Sequence, residues 1–176
     1  MHCPQCTGYT LEPKLLDENL VAASCPKCEG ALLPLLNYRH WVNQRDADVE
    51  KVDVEVISED VEHAKMCPKC SRLMTKFRID LRTQNKLDLC THCDEAWLDK
   101  GEWKLPKQLE LAGQLPKIFT EEWQRELRRQ QQINRVNQRY QNTLGEEDFE
   151  KVRLFKEWME QHDNTAEIRQ YLLLSV

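Results

Sequence analysis

Eight cysteines dominate the chemistry open to this chain, and they fall in four C-x-x-C pairs: Cys3/Cys6, Cys25/Cys28, Cys67/Cys70 and Cys90/Cys93. A C-x-x-C turn presents two sulfurs to one ion and leaves nearby backbone N–H groups free to point at them. Two such turns complete a tetrahedron of thiolates, an arrangement that suits zinc. Eighteen residues separate Cys6 from Cys25, and nineteen separate Cys70 from Cys90. Both intervals fit the C-x2-C-x15–20-C-x2-C spacing of zinc sites. The expected cofactor is two structural Zn2+ ions, one per four-cysteine set. With every position taken by protein, no site stays open for water or substrate, so catalytic zinc is disfavoured. A redox dithiol is the main competing reading, but such sites sit once per βαβ unit at a helix start. Four paired copies without a βαβ pattern favour metal; a redox-switched zinc site and an iron–sulfur cluster remain the alternatives. His2 and His92 stand beside cysteine ligands, yet four thiols per site make their ligation unnecessary.

These cysteines need a scaffold, and the sequence repeats one. Cys3 to Cys67 is an offset of 64 and Cys25 to Cys90 an offset of 65, the mark of a duplicated supersecondary unit. A unit of about forty residues rarely buries enough apolar surface to fold alone. Structural zinc contributes roughly 10–16 kcal/mol to such a module. The expected organisation is a first zinc ribbon over 1–45, an acidic linker over 46–62, a second ribbon over 63–104 and a helical segment over 105–176. Val52, Val54 and Val56 alternate within the acidic stretch, so a short strand is the other reading there. In the helical segment, one helix is expected from Pro106 to Leu115. A long one runs from an N-cap at Thr120 to Leu144, where Gly145 stops it. A third covers Glu146 to Gln161, and Asn164 or Thr165 opens a last short one. The fold class is a small zinc-stabilised α+β protein: two tandem zinc ribbons followed by an α-helical C-terminal segment.

The second cysteine set carries a fuller signature. Met66-Cys67-Pro68-Lys69-Cys70, followed by Cys90-Thr91-His92-Cys93-Asp94-Glu95-Ala96-Trp97-Leu98-Asp99-Lys100-Gly101-Glu102, resembles the TFIIB-type zinc-ribbon family of small bacterial proteins. That family shows C-P-x-C at the first knuckle and C-x-x-C-x-G-x-W-L-D-x-G-E at the second; Glu95 stands here in place of the usual glycine. The first unit resembles a diverged copy, keeping Cys25-Pro26-Lys27-Cys28-Glu29-Gly30 but placing Leu32-Leu33-Pro34 where W-L-D would be. The resemblance covers about forty residues and implies a nucleic-acid-binding role by analogy of fold, which does not establish function. From the residues themselves, Asp99 and Glu102 read as a capping box, Trp97 and Leu98 as core, and Gly101 as a point of tight approach.

Charge narrows the partners. The formal net charge is -5 and the mean hydropathy is -0.71, which mark a water-soluble chain without the electrostatic footprint of a nonspecific nucleic-acid binder. Residues 63–110 alone are basic, with ten Lys/Arg against seven Asp/Glu. The first residues predict no signal peptide and no apolar run is long enough for a bilayer, so a cytoplasmic, non-membrane protein is expected. On the long helix, Arg125, Arg128, Arg129, Arg135 and Arg139 fall within an arc of roughly 120° at about 100° per residue, opposite Phe119, Trp123 and Leu127. After Arg128–Gln132 the apolar stripe of Ile133, Val136, Tyr140 and Leu144 rotates toward that arc, which predicts a bend or a change of packing partner. The arc is expected to be a solvated face, and the Trp123/Leu127 and Phe149/Phe155/Trp158 stripes an intramolecular helical core. The function read from these features is a non-enzymatic, zinc-binding adaptor for a macromolecular partner, a protein. Its alternative is a nucleic-acid-binding or transcription-associated protein that uses the arginine arc.

Overall fold

A computed structural model describes residues 1–44, 63–109, 111 and 113–174. The expected acidic linker, with its alternating valines, lies outside the described residues. The chain divides into two compact units, Met1–Arg128 and Arg129–Val176, which are described in turn.

The first unit is built on hairpins. Strands β1 (Glu12–Asp17), β2 (Leu20–Ser24) and β3 (Ala31–Pro34) come from the first cysteine repeat; β4 (Thr75–Arg78), β5 (Lys86–Cys90) and β6 (Glu95–Leu98) come from the second. Asn19 takes a left-handed conformation (φ 60°) in the β1–β2 turn, which asparagine tolerates better than most residues. The two repeats then join edge to edge. β3 pairs antiparallel with β6, setting Ala31 against Leu98, Leu32 against Trp97 and Leu33 against Ala96. The result is one six-stranded sheet in the order β1-β2-β3-β6-β5-β4, so the ribbons are halves of a single sheet.

Because side chains alternate across a sheet, this pairing sorts the residues by face. Ala31, Leu33, Ala96 and Leu98 face a core completed by Leu35, Tyr38 and Trp41 of α1 (Leu35–Asn43) and by Trp103, Leu105, Leu111, Leu115 and Ile118. Tyr38, Trp41 and Trp103 pack ring against ring at 5.3–6.4 Å, and Tyr38 Oη accepts the backbone N–H of Leu115 at 3.0 Å. Leu32 and Trp97 point the other way and cluster with the cysteines, Leu11 and Met74. One face of the sheet is thus an ordinary helix-covered core and the other is the sulfur face.

The expected helix from Pro106 to Leu115 is instead two short ones, α2 (Lys104–Gln108) and α3 (Leu115–Ile118). Pro116 sits in the opening turn of α3, where its missing N–H has no intrahelical acceptor to lose. α4 runs unbroken over Glu121–Leu144, and Thr120 Oγ1 caps it by accepting the N–H of Trp123 at 3.2 Å. There is no break at Arg128–Gln132; the rotation of the stripe marks a change of packing partner. Before it, Trp123 Nε1 donates to the Ile79 carbonyl at 3.0 Å, and the Gln124 amide accepts from Arg78 N and donates to Arg78 O. Those bonds occupy the end of edge strand β4, much as a further strand would.

The second unit holds the rest of α4 with α5 (Glu146–Glu160) and α6 (Thr165–Leu172). Gly145, at φ 81°, makes the turn between α4 and α5. The expected intramolecular core holds for Trp123, which packs against the core of the first unit, but fails for the α5 stripe: α5 and α6 contain no buried residue, and Phe155 and Trp158 are 43% and 52% exposed. From Ile133 onward α4 meets α5 across an apolar groove instead of closing on it.

Gly30 shows how tightly the repeats fit. A Cβ there would run into the six-membered ring of Trp97, which belongs to the other repeat and is fully buried. Gly30→Ala should cost about 2 kcal/mol, an overpacking penalty. It will appear as a lower thermal midpoint of the metal-loaded protein, whereas Gly113→Ala, which meets open space, will leave the midpoint nearly unchanged.

Candidate metal centres

The sheet brings the two sequence-predicted sulfur sets together. The Sγ atoms of Cys3, Cys6, Cys25 and Cys28 all lie within 4.8 Å of one another, and so do those of Cys67, Cys70, Cys90 and Cys93. Cys3 and Cys28 approach to 3.6 Å, Cys70 and Cys90 to 3.5 Å. A tetrahedron with metal–sulfur bonds of about 2.3 Å has sulfur–sulfur edges of about 3.8 Å, so each cluster is nearly at the size an ion would impose. Neither histidine belongs to a cluster; His2 and His92 are both exposed.

Local backbone geometry explains why a knuckle forms. Cys25, Cys67 and Cys90 each accept, through the carbonyl, the N–H of the residue four positions on: Glu29 at 2.9 Å, Ser71 at 2.8 Å and Asp94 at 2.9 Å. Those three acceptor-turn residues are left-handed, with φ of 59°, 57° and 55°. Non-glycine residues resist that region by roughly 1–2 kcal/mol, so something in the native state must hold them there. In the first knuckle, N–H groups of Gln5 and Cys6 point at Cys3 Sγ at 3.4 and 3.3 Å, as the charge of a thiolate would favour.

Without an ion, the thiols of each cluster differ in how readily they ionise. Burial pushes the Cys93 thiol up to about 12 and raises Cys28 still further. The N–H of Arg72 helps lower Cys70 to about 7. At Cys25 burial works upward, yet the N–H groups of Cys28 and Lys27 prevail and lower it to about 7. Each cluster thus holds one thiol that ionises readily and two that burial holds protonated, Cys3 and Cys28 in the first and Cys67 and Cys93 in the second. A bound dication removes that resistance. In each pair the first cysteine is buried and the second is half-buried.

Between the clusters lies a network of polar side chains that sequence reasoning only half anticipated. Glu102 Oε2 accepts the Asp99 N–H at 2.8 Å, which is one half of the capping box. The other half is absent, because the Asp99 carboxylate is engaged elsewhere. Its Oδ1 accepts from Trp97 Nε1 at 2.8 Å and from Gln5 of the first repeat at 2.9 Å; its Oδ2 accepts from Lys65 Nζ at 2.9 Å. Lys65 Nζ also reaches Asp88 Oδ2 at 2.8 Å, with both side chains 2% exposed. The W-L-D-x-G-E signature therefore ties one ribbon to the other. Gly101, expected to allow tight approach, has open space at its Cβ position; its φ of 82° is the reason for glycine. Lys65 and Asp88 were not singled out from sequence. The available signal was Asp88 alone between Leu87 and Leu89 on a strand, a charge that must meet a partner if the strand is buried.

The arginines are dispersed over both units. Arg125 and Arg128 lie 4.0 and 2.9 Å from Glu121, and all of these side chains are mostly exposed. Arg139 stacks over the Tyr140 ring at 5.2 Å. Among the described residues no carboxylate pairs with Arg135 or Arg139. No described helix is long and apolar enough to cross a membrane.

Among the described residues, removing Lys65 leaves Asp99 without a cation and Asp88 with Lys76 alone, so Lys65→Met should cost about 3 kcal/mol, the low end for a broken buried pair. Lys100→Met breaks only a solvent-screened pair whose partners are 69% and 47% exposed and should leave the unfolding midpoint nearly unchanged; denaturant titration of both variants checks the contrast. Glu102 supplies a pH test. Burial pushes its carboxyl up to about 7, from 4.5. Its stabilising neutral form is fully populated below about pH 4.5 and lost as pH rises through about 7. The thermal midpoint of Glu102→Gln should therefore gain on that of the parent protein across this window. Comparison with protein-family models, with curated proteins and with solved structures gives no match for this chain.

Proposed function

We propose that this chain is a non-enzymatic zinc-binding adaptor, in which two tetrathiolate Zn2+ sites stiffen a sheet and the helical segment engages a protein partner. Zinc suits four sulfurs at tetrahedral spacing in closed sites, because it needs no open position and no particular electron count. A reducing, cytoplasmic setting suits eight free thiols. The likeness of the second repeat to TFIIB-type ribbons agrees with a macromolecular partner. Asp88, Asp99 and Glu102, the carboxylates nearest to a catalytic constellation, are committed to lysine, indole and backbone donors, which supports a non-enzymatic role.

One observation carries the partner reading: α5, α6 and the residue that caps α6 expose large apolar side chains, with Trp158 52%, Tyr171 73% and Leu173 83% exposed. Aromatic and aliphatic anchors of this kind are what a protein interface buries. The outer edge of β1, which no described strand pairs, offers a second contact by strand addition. The nucleic-acid reading is favoured by a separate observation: among the described residues no carboxylate pairs with Arg135 or Arg139, on a helix otherwise rich in Gln and Asn.

Freshly purified protein should contain two equivalents of zinc by elemental analysis. In nuclease-treated lysate it should retain a defined protein that Trp158→Ser with Leu173→Ser fails to retain. Binding to DNA or RNA that falls steeply with salt, and is lost in Arg135→Glu with Arg139→Glu, would replace the protein-partner reading with the nucleic-acid one.

A further inference from the structure

The second unit is a set of helices without a core. Isolated helices of this length are marginal in water, and a segment under about fifty residues seldom holds together without a partner, metal or disulfide. All eight cysteines lie in the first unit, so neither metal nor disulfide staples the second. Yet its apolar side chains are not scattered. Ile133, Val136, Tyr140 and Leu144 of α4, with Phe149 and Val152 of α5, line one groove of about 480 Å³. Ile133, Val136, Tyr140 and Leu144 are each 38–46% exposed, which is the accessibility of side chains that meet each other on one side only.

Charge indicates what covers them. From Arg129 to Leu144, α4 carries three arginines and no acid; α5 carries six acids against three bases. The two also match in length: sixteen residues of α4 and fifteen of α5 span about 24 and 22 Å. At the groove itself Arg153 and Lys156 offset Glu157 and Glu160, so it is the surplus over the whole helices that an acidic apolar-faced helix beside α4 and a basic one beside α5 would complement. This chain holds both, in equal lengths and joined by one glycine. We propose that the α4–α5 groove is occupied by α4 and α5 of a second copy, forming a two-fold four-helix bundle. In a two-fold pair each contact is made twice: α4 of one copy lies along α5 of the other, and the reverse. Two helical hairpins closing on a shared apolar seam give the familiar four-helix core, and burial of the seam supplies what each unit lacks alone. This inference rests on the reading of α4–α6 as interaction elements. It assigns the groove to self-association and leaves the exposed Trp158 and Leu173 for the other partner.

The test uses the full-length, zinc-loaded protein, with mass measured by light scattering after size exclusion over a broad concentration range. The expected mass is twice 20.9 kDa, falling to the monomer in Val136→Asp with Val152→Asp. Since those variants could unfold the helices, a charge-reversal pair keeps the question open to a clean answer. Arg129→Glu with Arg139→Glu makes both helices acidic; Glu157→Lys with Glu160→Lys makes both basic. Each should be monomeric alone, and an equimolar mixture should recover a dimer containing one of each. A wild-type protein that is monomeric at every concentration overturns the inference, as does a mixture that stays monomeric or a dimer that none of these substitutions weakens. Lysate capture through Trp158 and Leu173 is read independently. A monomer that still captures its partner defeats the bundle alone, and a dimer that captures nothing defeats the adaptor reading alone.

Discussion

Antiparallel pairing of β3 with β6 is the contact on which the remaining architecture depends. It aligns the two cysteine repeats so that both sulfur clusters open on the same side of one sheet, and it sets Leu32 opposite Trp97 on that side. The opposite side then becomes wide enough to seat α1 and the residues around Trp103, Leu115 and Ile118. A lone ribbon has too narrow a sheet for such a core. Pairing two of them converts a pair of metal-dependent fragments into a body with burial of its own. Ions held by the two sulfur clusters would share the stabilisation with this core, whereas a forty-residue repeat considered separately has little burial of its own.

The polar network fixes how the pairing is read out. Trp97 needs an acceptor for its indole N–H once it is buried, Asp99 supplies one, and Lys65 compensates the charge of Asp99 and Asp88 together. Gln5, from the other repeat, completes the acceptor atoms of Asp99. A buried ion pair of this sort is weak evidence of net stability. Its geometric demands are strict, however, and it admits one alignment of the two repeats in preference to slipped ones.

Sulfur spacing was the most legible feature of the sequence, since ligand number and C-x-x-C intervals are set by local chain geometry. Helix limits were nearly as clear where caps are chemical: Thr120 opens α4 and Gly145 ends it. The joining of the ribbons was not legible, because strand partners over sixty residues apart leave no local periodic trace. The same holds for Gln5 reaching Asp99, and for Gln124 covering the end of β4. The stripe on α5 misled for a different reason. Periodicity reveals that Phe149, Val152 and Phe155 need to be covered, but it is silent on whether the cover comes from the same chain. Gly101 was a smaller case, in which crowding and left-handed backbone both select glycine and only coordinates tell them apart.

The alternation of depth within each knuckle has a dynamic corollary. Cys3, Cys25, Cys67 and Cys90 are sealed beneath the sheet, while Cys6, Cys28, Cys70 and Cys93 border solvent. An ion held in either cage is therefore approachable from one hemisphere only. Competing thiols, chelators or electrophiles meet the outer pair of sulfurs first, so ligand exchange would proceed from the rim inward. The inner pair, of which Cys25 follows β2 and Cys90 ends β5, would be the last anchor to release and the first to recapture.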